Sequence, residues 1–140
     1  MRVCVLYAGA GRDSGKLKAI AEALARGVES QGNQVDVYDM ALENGKKVSF
    51  YDYLIVGTES TAFFGGKIPS TIREFFKNAG TLSGKRCMAF VRKSGLRSQR
   101  TLQVLMKVME GEGMYLRISE VFARPDFAQA TGKRLKVSHE

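Results

Sequence analysis

A doubly wound α/β sandwich, with a five-stranded parallel sheet between helices, is the fold class this sequence predicts, and two observations carry the prediction. The first is a buried-strand pattern followed at once by a helical one. Val3, Cys4, Val5 and Leu6 form an unbroken apolar run, whereas Leu17, Ile20, Ala21, Leu24 and Val28 recur at helical spacing. The second is that this alternation of strand and helix repeats along a chain of 140 residues, the size of one domain with a substantial core.

The elements follow in order. Gly32 and Asn33 stop the first helix, and Gln34 to Tyr38 alternates as a second strand. Polar residues from Glu43 to Lys47 form a loop too short for a full helix. Tyr51 to Val56 reads as the third strand, ending at Gly57, and Thr58 to Lys67 (TESTAFFGGK) as a functional loop. Pro69 suits the first turn of a helix that buries Ile72, Phe75 and Phe76 and stops at Gly80. Arg86 to Val91 is a fourth buried strand, with Arg92 to Gly95 as its exit loop. Ser98 to Glu110 is a helix with Leu102, Leu105, Met106 and Met109 on one stripe, and Tyr115 to Phe122 is the fifth strand. Residues 122–140 read as a weakly structured tail or short helix. They are too poor in apolar residues for a full covering helix, so one face of the sheet is expected to stay partly bare and to pair in a homodimer or with a partner domain.

Composition narrows the function. Hydrophobic residues make up 44% of the chain and charged residues 26%, which fits a packed domain. Cys4 and Cys87 lie in apolar runs without metal or redox spacing, so buried free thiols in a reducing cytoplasm are expected. No apolar run approaches membrane length, and no leader pattern follows Met1. The net charge of +8 is spread along the chain. Without a compact basic stripe interleaved with aromatics, nucleic-acid binding is not expected. Neither a nucleophile–base pair nor a metal-ligand cluster emerges, and the single histidine, His139, lies in the tail.

The turn after the first strand, Gly9, Ala10, Gly11, Arg12, Asp13, Ser14 and Gly15, is made of small residues that let backbone amides point inward, and the next helix adds the positive end of its dipole. This predicts an anion site. Aligned as a nucleoside-triphosphate P-loop, the turn puts Ala10 at the first glycine and Leu17 at the magnesium-binding hydroxyl, so NTP hydrolysis is not expected. A dinucleotide fingerprint, with Asp39 on the ribose, has its glycines one residue off, and the chain has no room for a substrate domain. In a doubly wound sheet the ligand edge lies beyond the carboxyl ends of the strands. There the glycine-rich turn, the Thr58 to Lys67 loop and the Arg92 to Gly95 loop meet.

The stretches VCVLYAGAGR, KLKAIAEALARG, YDYLIVGTESTAFFGGKIPSTIREFF and SGKRCMAFV, within residues 1–122, resemble the flavodoxin-like family, whose short-chain members bind FMN at three such loops. The resemblance implies a sheet of strand order 2-1-3-4-5, FMN as cofactor, electron transfer through a redox partner, and an FMN-dependent oxidoreductase if the chain is an enzyme. It also implies site residues. Ala8, Gly9, Ala10, Gly11, Arg12 and Asp13, with Ser14 and Gly15 beside them, fall at the phosphate loop. Thr58, Glu59, Ser60, Thr61, Ala62, Phe63 and Phe64 fall at the first isoalloxazine loop, with Phe63 or Phe64 as the stacking face, and Arg92, Lys93, Ser94, Gly95 and Leu96 at the second.

Two departures from the family pattern matter. Ala8, Ala10 and Asp13 stand where the family places phosphate-binding hydroxyls, leaving Ser14 nearby, and Asp13 is expected to turn its carboxylate toward helix amides. The charge also differs, because electron-carrying flavodoxins are typically acidic and here Arg92, Lys93, Arg97 and Arg100 crowd the third loop. Positive charge favours the anionic reduced flavin, so a relatively oxidising potential and an acidic partner are expected. The alternative reading is a flavin-free module that recognises an acidic partner or anionic ligand through its basic loops.

Overall fold

The computed structural model describes residues 1–11, 14–60 and 67–138. Strands β1 (Arg2–Ala8), β2 (Gln34–Asp39), β3 (Tyr53–Glu59), β4 (Arg86–Arg92) and β5 (Tyr115–Phe122) alternate with helices α1 (Gly15–Glu29), α2 (Ser70–Lys77), α3 (Ser98–Gly111) and α4 (Pro125–Arg134). The five strands form one sheet in the order β2-β1-β3-β4-β5, every pair parallel, as expected for the doubly wound class. No helix among the described residues is long and apolar enough to cross a membrane.

Strand alternation sorts the core into two layers. Cys4, Leu6 and Ala8 of β1 pack on the side that holds Ile72, Phe75 and Phe76 of α2 and Leu102, Leu105 and Met109 of α3. Val3, Val5 and Tyr7 pack on the other side, with Leu17, Ile20, Leu24 and Val28 of α1 and Ala128 of α4. Both cysteines are free and buried, and burial pushes each thiol up to about 12.

Three sequence expectations change. Gly57 does not end the third strand. It lies inside β3 because the Phe90 ring of β4 crosses it, and a Cβ there would stand 2.1 Å from the ring. The strand therefore continues through Thr58 and Glu59, expected in a loop, and β4 likewise reaches Arg92.

The tail takes the short-helix form of its two readings, and what changes is the expectation that it is too poor in apolar residues to cover the sheet. Residues 125–134 form α4, which packs against α1 through backbone rather than large side chains. A Cβ on Gly27 would stand 2.2 Å from the Gln129 carbonyl oxygen, and one on Gly132 would stand 2.4 Å from that of Leu24. Gln31 adds two bonds from its Nε2, to the carbonyls of Gly132 at 2.6 Å and Leu135 at 2.9 Å. Counting apolar residues fails here because two glycines replace them at the contact. The face expected to be bare is covered, and the argument for a homodimer from that face loses its premise. Third, Pro69 precedes α2 as its N-cap instead of lying within the first turn.

Candidate functional site

Three connections leave the carboxyl edge of the sheet side by side, after β1, β3 and β4. The register sets their spacing: Ala8 pairs with Thr58, Thr58 with Val91 and Glu59 with Arg92, so all three loops start at one level. Thr58 Oγ1 donates to the Ala8 carbonyl at 2.7 Å, fixing the first two exits. Ser60 Oγ donates to the Ser94 carbonyl at 2.8 Å, and the Ser94 amide donates to Ser98 Oγ at 3.1 Å, tying the second exit to the third and to the start of α3.

At the first exit the chain turns tightly. A Cβ on Gly9 would stand 2.7 Å from Ser14 Cβ, so this position needs glycine, whereas Gly11 faces open space. Helix α1 starts without a side-chain cap bond from Ser14 and without an acidic residue in its first turn. Lys16 is exposed in that turn, so the helix end keeps its positive dipole with a cation beside it.

Glu59 occupies the centre of the site. Its residue is only 4% exposed, its Oε1 accepts from Arg92 Nε at 2.8 Å, and its Oε2 accepts the Ala10 amide at 3.2 Å. The carboxylate thus joins the first exit to the third through the end of the second. Arg92 balances the buried charge; without that pair the carboxylate would sit in the protein interior against one amide alone. The Ala10 amide thus already serves a carboxylate oxygen, and any anion that enters meets the Glu59 charge there.

The sequence-assigned residues fall into three groups. Ala8, Gly9, Ala10, Thr58, Glu59, Ser60, Arg92 and Ser94 are drawn together at the sheet edge by the bonds just described. Gly11, Gly15, Lys93, Gly95 and Leu96 are exposed around it, and Ser14 is half-buried. Arg12, Asp13, Thr61, Ala62, Phe63 and Phe64 lie outside the described residues, and with them the stacking aromatic and the Asp13 cap.

Sequence reasoning missed several neighbours. Lys93, Gly95 and Leu96 line a cleft of about 720 Å³ shared with Phe122 at the end of β5, Ala123 in the link after it and Phe127 of α4. Ser98, 5% exposed, braces the third loop. Its place at the start of a periodic helix was the one available signal. Among the described residues no group of histidine, cysteine and carboxylate side chains has metal-binding geometry.

Comparison with solved structures agrees with this architecture. A flavodoxin from the domain Archaea superposes with a TM-score of 0.74 at 22% identity, covering 96% of this chain and 93% of its own. Oxidised flavodoxin 1 from Bacillus cereus gives 0.73 at 14% identity, over 97% and 100%. The flavodiiron protein from Giardia intestinalis gives 0.70 at 17% identity, over 96% of this chain and 35% of that one. No family model and no curated protein matches the chain. The strand order, the crossovers and these superpositions together show that the chain has the flavodoxin-like α/β fold.

Proposed function

We propose that the chain binds FMN at the carboxyl edge of its sheet and serves in electron transfer. The observation that carries this reading is the Ala10 amide, which already holds a carboxylate oxygen close to the start of helix α1. The backbone from Gly9 to Gly15 would hold the phosphate. The chain beyond Thr58 and the loop from Arg92 to Leu96 would flank the ring, with Ser60 and Ser94 keeping those walls at a fixed separation. The flavin, when bound, supplies the redox chemistry. Exposed Lys93, Arg97 and Arg100 put positive charge beside the ring, which favours a relatively oxidising potential and an acidic redox partner.

Glu59 gives the proposal its particular form. An incoming phosphate competes with the Glu59 carboxylate for the Ala10 amide, so phosphate adds less affinity than an uncontested turn would provide. Titration of the purified protein with FMN and with riboflavin at low salt, followed by quenching of flavin fluorescence, tests this. FMN is expected to bind saturably and more tightly than riboflavin. Glu59→Gln removes the like charge while keeping an acceptor for the amide, and is expected to raise FMN affinity about tenfold and to leave riboflavin unchanged. The same contact supports a second reading, a flavin-free module whose turn is closed by its own carboxylate. Failure of both flavins to bind either wild type or Glu59→Gln would select it.

A further inference from the structure

The opposite, amino edge of the sheet holds a second feature. Tyr53 opens β3, and its register partner Arg86 opens β4. In β5 the ladder skips a residue: Cys87 pairs with Leu116 and Met88 with Ile118, leaving Arg117 as the extra residue of a bulge. A bulge re-aims the side chain it carries. Past α4, the chain returns to this edge, where the Arg86 guanidinium donates to the Val137 carbonyl at 3.1 Å and to the Ser138 carbonyl.

These residues enclose a cavity of about 300 Å³ lined by Tyr53, Arg86, Arg117, Arg134 and Lys136, with no acidic side chain among the described lining residues. Tyr53 is 1% exposed, and its Oη is the one buried side-chain polar atom without a hydrogen-bond partner among the described residues. Leaving a buried hydroxyl unpaired costs about 1–3 kcal/mol, so a partner for it is worth that much to whatever supplies one. A water molecule would satisfy the hydroxyl alone, whereas the lining also brings four cationic side chains to one cavity, Arg86 already donating to two carbonyls and Arg117, Arg134 and Lys136 exposed. A multiply charged oxyanion satisfies both. Arginine forks match phosphate geometry, and a tyrosine hydroxyl donates to a phosphate oxygen.

We propose that this amino-edge cavity is a binding site for a small phosphate-bearing anion, held by Arg86, Arg117, Arg134 and Lys136 and oriented by the Tyr53 hydroxyl. The site is separate from the flavin loops. The seven residues of β3 place it roughly 20 Å from the glycine-rich turn. It does not depend on whether flavin binds.

The test is a titration with inorganic pyrophosphate at constant ionic strength, read by amide chemical shifts of the full chain. Saturable shifts are expected at Tyr53, Arg86, Arg117, Ile118 and Lys136. Arg117→Gln, a change at an exposed bulge position, is expected to weaken binding at least tenfold, and Tyr53→Phe several-fold. Shifts that stay linear, saturable shifts confined to Gly9 to Gly15, or unchanged affinity in both variants would each overturn the proposal.

Discussion

The two edges of the sheet handle buried polar groups in opposite ways. At the carboxyl edge Glu59 is a charge taken into the protein and fully answered, by Arg92 on one oxygen and the Ala10 amide on the other. At the amino edge Tyr53 carries a neutral hydroxyl in a cavity lined by cationic residues, with no hydrogen-bond partner among the described residues. A closed polar network fixes geometry, and here it fixes where three loops begin. An open one leaves interaction energy for a ligand. The carboxyl edge is thus fixed at its base, with its anion-facing amide already engaged, while the amino edge keeps a polar group to offer.

The difference predicts opposite signs for removing one polar group at each edge. Arg92→Met strands the Glu59 carboxylate, whose side chain is only 6% exposed, and is expected to destabilise the fold by about 3 kcal/mol in chemical denaturation. The double variant Arg92→Met with Glu59→Gln should recover most of that loss. If Arg92→Met alone unfolds at the wild-type midpoint, the ion pair does not organise the edge.

Alkaline pH supplies a control that belongs to neither edge. The Cys4 and Cys87 thiols are raised from 9.0 to about 12 in the folded chain by burial first, so they stay protonated while the unfolded thiols ionise. The unfolded state then binds fewer protons, and stability falls as pH rises from 9 toward 12. From pH 9 to 10 the loss should be about 1 kcal/mol for each thiol, with the same slope in Arg92→Met. A flat profile over that interval would show that neither thiol is shielded as its burial implies.

The smallest effect is expected from Tyr53→Phe. In buffer without multivalent anions the substitution removes an unpaired hydroxyl, so stability should be unchanged or rise by up to about 1 kcal/mol. A loss above 2 kcal/mol would mean the hydroxyl is already paired, and the contrast between the edges would vanish.

Much of the fold was legible because its signals are local. The apolar run Val3 to Leu6, the helical stripe from Leu17 to Val28 and the periodic α3 each declare themselves within a window of a few turns. Four things were not. The reach of β3 past Gly57 depends on a ring from the neighbouring strand, and glycine reads as a stop when that neighbour is unseen. Helix α4 docks through Gly27 and Gly132, so its fit lies in missing atoms rather than in apolar ones. Glu59 stands in a loop-like string of small polar residues, and only the register of β3 against β4 brings it to Arg92. The amino-edge cavity has no contiguous motif, since its residues come from β3, β4, β5, α4 and the segment beyond.

The contact between α1 and α4 also bears on how the chain folds. Gln31 bonds to carbonyls 101 and 104 residues further along, and the Gly27 groove is filled by residues 129 to 133. During synthesis the first helix therefore emerges long before its cover exists. One side of the early β1-α1 unit, with Leu24 and Val28 beside it, must wait in water or on a chaperone until residues 129 to 133 have been made. A large loop has to close late, which favours slow, cooperative completion over stepwise growth, with the final helix acting as the clasp.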